Sequence, residues 1–256
     1  MIRKISLLLE IGAMAATLLT GTNAYADLLY YGGDFDPTDA NAQVLENGYN
    51  TSLSTDGAVY DNFSVGGTSW NVTSLFSNDV ISTAVTGITT AHWEIRTGMS
   101  AGNGGTLLFE GDTTPTITAT GRELPIYKYP EYTVEVPVSF TLAAGTYWLE
   151  VAPYYKDPIN LVSSFESNTF GLNSVGTHTT PDDDFWNSYN ESANFWDGKT
   201  VCNAFYLPSP CFDSFSDGVI GTVARASTAV PEPSSLALLG AALASLGAAR
   251  RRKKHA

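Results

Sequence analysis

The stretch YTVEVPVSFTL (132–142), followed through Ala143-Ala144-Gly145 by TYWLEVA (146–152), decides the fold. In the first run Tyr132, Val134, Val136, Val138 and Phe140 alternate with Thr133, Glu135, Pro137 and Ser139. A period of two puts these sets on opposite faces of a strand, the apolar set toward a core. Pro137 has no amide hydrogen to give to a ladder, so the strand lies at an edge or carries a bulge there. In the second run Tyr147, Leu149 and Val151 face inward, and the two runs are expected to pair as a hairpin about Ala143-Ala144-Gly145.

The same alternation, punctuated by Gly, Asn, Asp and Thr, recurs elsewhere. Strands are predicted at 58–65, 69–77, 81–87, 89–98, 106–111, 201–207 and 218–227. No long segment between the two ends has helical periodicity. Eight or more short strands over about 200 residues predict an all-β chain, a single β-sandwich domain of jelly-roll-like type.

The two ends read differently from the middle. Arg3 and Lys4 precede a mostly apolar run from Ile5 to Leu19, interrupted by Glu10, and Ala24-Tyr25-Ala26 supplies a small-x-small site. These are the three parts of a secretory signal peptide over 1–26, with cleavage expected before Asp27. At the other end Pro231-Glu232-Pro233 stops the preceding structure, because the prolines lack amide donors. Ser234 to Ala249 is free of charge, and Arg250, Arg251, Arg252, Lys253 and Lys254 follow. That run predicts a short transmembrane helix over 234–249, about 24 Å long at ~1.5 Å per residue, short for a bilayer core. The basic cluster is expected to remain cytoplasmic and the rest of the chain outside.

Order, spacing and placement make this tail resemble a PEP-CTERM sorting signal, spanning 230–256. The resemblance implies processing by an exosortase, a membrane-embedded transpeptidase-like protease. It also implies a Gram-negative, exopolysaccharide-forming source, transient residence at the inner membrane, and release to the cell surface, extracellular matrix or biofilm.

The segment between the signals, 27–229, holds 24 of the 26 acidic residues and six of the 13 Lys and Arg, a net charge of −18. Such a body repels nucleic acid, which excludes that class of partner, and attracts divalent cations. Cys202 and Cys211 form a close pair in an exported chain, which points to a local disulfide around CNAFYLPSPC. Only His92 and His178 lie in this segment, and with no further cysteine a Cys/His metal site lacks partners. Calcium suits better: Asp34, Asp36 and Asp39, or Asp182, Asp183 and Asp184, cluster hard oxygen donors on loops, although neither set follows an EF-hand. The alternative for both is a solvated acidic loop.

Gly98-Met99-Ser100-Ala101-Gly102 matches the G-x-S-x-G of a nucleophile elbow. Asn103-Gly104-Gly105 cannot begin the helix that motif needs, so the glycines are expected to form a loop between two strands. No catalytic set is legible. Segment 165–198 reads as a long polar loop rich in aromatic residues, Trp186, Tyr189 and Trp196 among them. Aromatic faces beside Asp and Asn suit sugar rings; the alternative is that the tryptophans turn inward to cap the sandwich. The expectation is a non-enzymatic structural or adhesive protein associated with extracellular polysaccharide and needing no cofactor beyond, at most, calcium. A carbohydrate-binding module using 165–198 is the alternative, and a polysaccharide-acting enzyme the third reading.

Overall fold

The computed structural model describes residues 26–34, 44–50, 57–81, 87–125, 127–155, 166–169, 184–188, 195–197 and 214–224. Both end signals, the pair Cys202 and Cys211, His178, the predicted strand 201–207 and most of 81–87 lie outside them. Among the described residues every regular element is a strand, and no helix is long and apolar enough to cross a membrane. In chain order they are β1 (Asp27–Tyr31), β2 (Val44–Glu46), β3 (Tyr49–Asn50), β4 (Gly57–Val65) and β5 (Trp70–Ile81). Next come β6 (Ile88–Thr97), β7 (Thr106–Thr113), β8 (Thr116–Glu123), β9 (Pro130–Leu142) and β10 (Gly145–Tyr155). The series ends with β11 (Glu166–Thr169), β12 (Phe185–Ser188), β13 (Trp196–Asp197) and β14 (Asp217–Val223).

These strands form two sheets. In the first, β5 is central: β14 and then β1 lie on one side, β9 and then β8 on the other, and β11 with β2 continue along the far end of β5. The second runs β13-β12-β4-β10-β6-β7, with β3 pairing parallel to the end of β10. All other pairings are antiparallel.

The expected hairpin between 132–142 and 146–152 does not form. β9 belongs to the first sheet, pairing with β5 and β8, and β10 to the second, pairing with β4 and β6. Residues 143–144 carry the chain over the core from one sheet to the other. Alternation identifies the buried face of a strand but not which sheet it joins, and here the two apolar faces meet across the core. Gly145 also lacks the left-handed backbone that a tight hairpin turn requires.

Pro137 behaves as expected on both counts. β8 pairs with β9 only as far as Glu135, so the proline sits where β9 has an open edge. On the other side the register shifts between Val72 opposite Phe140 and Ser74 opposite Pro137, an extra residue in β9 that marks a bulge.

Side chains from both sheets fill one core, including Val134, Val136 and Leu142 of β9 and Tyr147, Leu149 and Val151 of β10. Its centre is aromatic: Phe63 stacks on Tyr30 at 5.4 Å and on Trp70 at 5.9 Å. Burying each such ring stabilises the fold by about 1.5–3 kcal/mol. A smaller cluster covers the outer face of the second sheet, where Tyr60, Trp148, Phe185 and Phe195 pack with Ala58 and Met99. This second cover explains why β4 is buried almost throughout rather than on alternate residues.

The glycines of 98–105 form the β6–β7 connection, as the sequence suggests. Gly98, Gly102 and Gly105 take positive φ angles of 67°, 73° and 64°. Ser100 and Asn103 exchange backbone hydrogen bonds of 3.0 and 2.7 Å across the turn.

Candidate functional site

The first sheet curls until its edges meet. β1 and β8 lie at opposite sides of β5, yet Arg122 at the end of β8 forms a 2.7 Å ion pair with Asp34, three residues beyond β1. The concave outer face beneath this bridge is a cleft of about 360 Å³. One wall is apolar, formed by Leu28, Tyr31, Phe76 and Ile220; the other presents Asn78, Thr120, Arg122, Thr133 and Glu135.

Strand register puts the polar row in place, since Asn78 of β5 faces Thr133 of β9 and Phe76 faces Glu135. The ring of Phe76 crosses β14 to reach Tyr31, with centroids 5.5 Å apart. Gly218 makes room for that crossing: a Cβ there would lie 2.2 Å from the Phe76 ring.

The cleft residues are fixed by a continuous hydrogen-bond network. Asn78 donates from Nδ2 to Tyr31 Oη at 3.0 Å and to Ser216 Oγ at 2.8 Å, and accepts from Thr133 at 2.6 Å. Tyr31 donates to Asp34. Burial and the Asp34 carboxylate push the Tyr31 phenol far above its ordinary pKa, so it remains a donor at any physiological pH. Arg122 also binds Glu131 through Nε at 2.6 Å and through a terminal nitrogen at 2.6 Å, and Thr120 donates to the same oxygen at 2.7 Å. Glu131 is fully buried. Burial lowers the Arg122 pKa, but the Glu131 and Asp34 charges outweigh it and hold the guanidinium firmly protonated.

Of the residues singled out in the sequence, Asp34 is part of this cleft, held by Tyr31 and Arg122; Asp36 and Asp39 lie outside the described residues. Asp184 is buried and accepts from the Asn62 amide at 3.0 Å, while Asp182 and Asp183 lie outside. Segment 165–198 is not one loop: its described parts are β11, β12 and β13, each paired into a sheet. Trp186 lies in β12 at 6% exposure, which leaves no open ring face for a sugar. Trp196 pairs with it from β13, and Tyr189 lies outside the described residues.

Sequence reasoning missed Tyr31, Arg122 and Glu131. Two of them sit on β1 and β8, strands without a clear apolar alternation. The usable signal was the pairing of Arg122 with Glu131 nine residues later, across what proves to be the β8–β9 hairpin.

The described chain is thus an all-β, two-sheet protein with a polar cleft on a curled outer face. It carries a PEP-CTERM protein-sorting motif, matched over residues 229–253, which marks export, membrane-anchored sorting and processing by an exosortase. No curated protein matches the chain.

Proposed function

We propose that this protein leaves a Gram-negative cell, is held at the inner membrane until an exosortase removes its tail, and is then retained at the cell surface or in the matrix. There the 27–229 body, a sandwich of jelly-roll-like type, is a non-enzymatic structural or adhesive module that holds exopolysaccharide. The observation that supports this reading is the two-sided cleft. Sugar rings offer apolar C–H faces and polar hydroxyl edges, and the cleft sets the half-buried Tyr31 ring with Leu28 and Ile220 against a row of fixed donors and acceptors. Its volume suits a few sugar units rather than a whole chain cross-section. The acidic body, at −18, favours neutral or amine-bearing glycans over uronate polymers, which it repels.

Purified full-length chain applied to arrayed neutral, amino and uronic oligosaccharides is expected to bind the first two classes with micromolar affinity. Tyr31→Phe and Glu135→Gln should each weaken binding about three- to tenfold, the loss of one hydrogen bond. Binding that ignores both substitutions places the glycan elsewhere, and retention of no glycan removes the reading. Turnover of a polysaccharide would make the protein an enzyme instead.

The sorting half has a separate readout. Intact mass of the surface-exposed protein is expected to show a C-terminus between Val230 and Pro233. A full tail through Ala256 would describe a plain membrane anchor.

A further inference from the structure

On the outer face of the second sheet, away from the cleft, His92, Glu94 and Glu110 bring one donor atom each to within 4.8 Å of the others. We propose that these three residues bind a divalent transition-metal ion of the zinc class. His92 and Glu94 alternate on β6 and therefore share a face, and Glu110 of β7 stands directly opposite Glu94 in register.

What distinguishes the site from a surface group of acids is the way its donors are held. Asp112, opposite His92 in register, takes the imidazole Nδ1 at 2.8 Å. That leaves Nε2 directed at Glu94 Oε1, 3.5 Å away. Glu94 is oriented mainly from its other oxygen, Oε2, which accepts from Tyr60 Oη at 3.2 Å and from Arg96 Nε, while a longer bond of 3.3 Å from an Arg96 terminal nitrogen reaches Oε1. Arg96 is itself seated between the rings of Tyr60 and Phe195, 5.7 and 5.8 Å from their centroids. A carboxylate on the far imidazole nitrogen and fixed donors on the far carboxylate oxygen are the outer-shell supports that metal ligands use. Glu110 is exposed and free to close on an ion from the solvent side.

The donor set selects the metal. Calcium takes six to eight oxygens, whereas one imidazole nitrogen with two carboxylates matches the three protein ligands of an open zinc site. The register also places Glu150 of β10 opposite Glu94, so three carboxylates lie in a row across adjacent strands. Like charges facing across strands are unfavourable, and a divalent cation above the row offsets them.

Titration calorimetry of the full-length chain with zinc chloride is expected to show one site of micromolar or tighter affinity. His92→Ala should abolish it, and Glu110→Gln, at an exposed position that spares the fold, should weaken it at least about tenfold. Asp112→Asn, acting through His92, should weaken it about tenfold. Glu123→Gln, at an exposed acid in another part of the molecule, should leave it unchanged. Zinc affinity untouched by both His92→Ala and Glu110→Gln overturns the proposal. So does calcium chloride binding these residues more tightly than zinc, or an absence of zinc binding at millimolar concentration.

Discussion

Replacing Arg122 with Met is expected to destabilise the protein by about 3 kcal/mol, read as a lower urea midpoint at unchanged slope. Glu131 is fully buried, and Arg122 supplies two of the hydrogen bonds to its outer oxygen. Without the guanidinium the buried carboxylate loses its counter-charge and both of those bonds, with the Thr120 hydroxyl still donating to it, and breaking a buried ion pair from one side is among the costliest defects in a fold. The same substitution opens the bridge to Asp34, which is half-exposed and adds little in energy. Its effect is geometric, since this contact joins the two edges of the curled sheet. Adding Glu131→Gln to Arg122→Met should recover most of the loss, because removing both charges removes the penalty. If the single variant costs less than about 1 kcal/mol, Glu131 is not carrying a buried charge.

This pair also shows what the sequence could and could not reveal. β9 was legible because it is buried on one face and polar on the other, so its residues alternate. β4 and β5 were legible from the same alternation, although cover on both faces of β4 and along the far part of β5 blurs it in the burial. β8 (TITATGRE) was not, since it is an edge strand with Ile117 as its single residue packed on the core. Partnership between strands was harder still. β9 and β10 follow one another in sequence but join different sheets, a choice made by the meeting of Val134, Val136 and Leu142 with Tyr147, Leu149 and Val151 across the core.

Both candidate sites depend on such partnership. The cleft gathers Tyr31, Asn78, Arg122 and Thr133 from four strands, and no local spacing links them. His92 was read as lacking partners because those partners arrive by register: Asp112 and Glu110 come from the neighbouring strand. The pairing of His92 with Glu94 on one face was visible in the alternation of β6, but only a known β6–β7 hairpin could add the other half. The aromatic residues of 165–198 left two readings open, an inward cap or a sugar platform, for a related reason. Burial in a sheet and presentation to a ligand draw on the same residue types, and Trp186 takes the first role.

Between pH 8 and pH 5 the protein is expected to become more stable as acid is added, the reverse of the usual behaviour of paired carboxylates. Asp61 and Asp79 are completely buried between the sheets, and burial raises each to about 7 from an ordinary 3.8. Their hydroxyl and amide donors are neutral, Asp61 also shares a hydrogen bond with the Asp184 carboxyl, and the Glu131 charge raises Asp79 further. Asp61 accepts from Tyr30 Oη at 2.6 Å and Ser214 Oγ at 3.2 Å; Asp79 accepts from Ser77 Oγ at 2.5 Å and Asn47 Nδ2 at 2.9 Å. These bonds pull the pKa down but do not offset desolvation. Because the folded pKa is raised, the folded state binds more protons than the unfolded one. The resulting stability is fully present below about pH 4 and is lost as pH rises through 7. A shift of three units corresponds to on the order of 4 kcal/mol for each group, at about 1.36 kcal/mol per unit. Urea titrations at half-unit steps should therefore show a midpoint that falls from pH 5 to pH 8. Asp61→Asn and Asp79→Asn should each flatten the slope and raise stability at pH 8, since an amide fills the same space without a charge, its oxygen keeping one set of donors while its NH2 donates to the Tyr30 or Ser77 hydroxyl on the other side. A midpoint that instead climbs with pH would mean that these carboxylates are ionised in the folded state beside a bound cation.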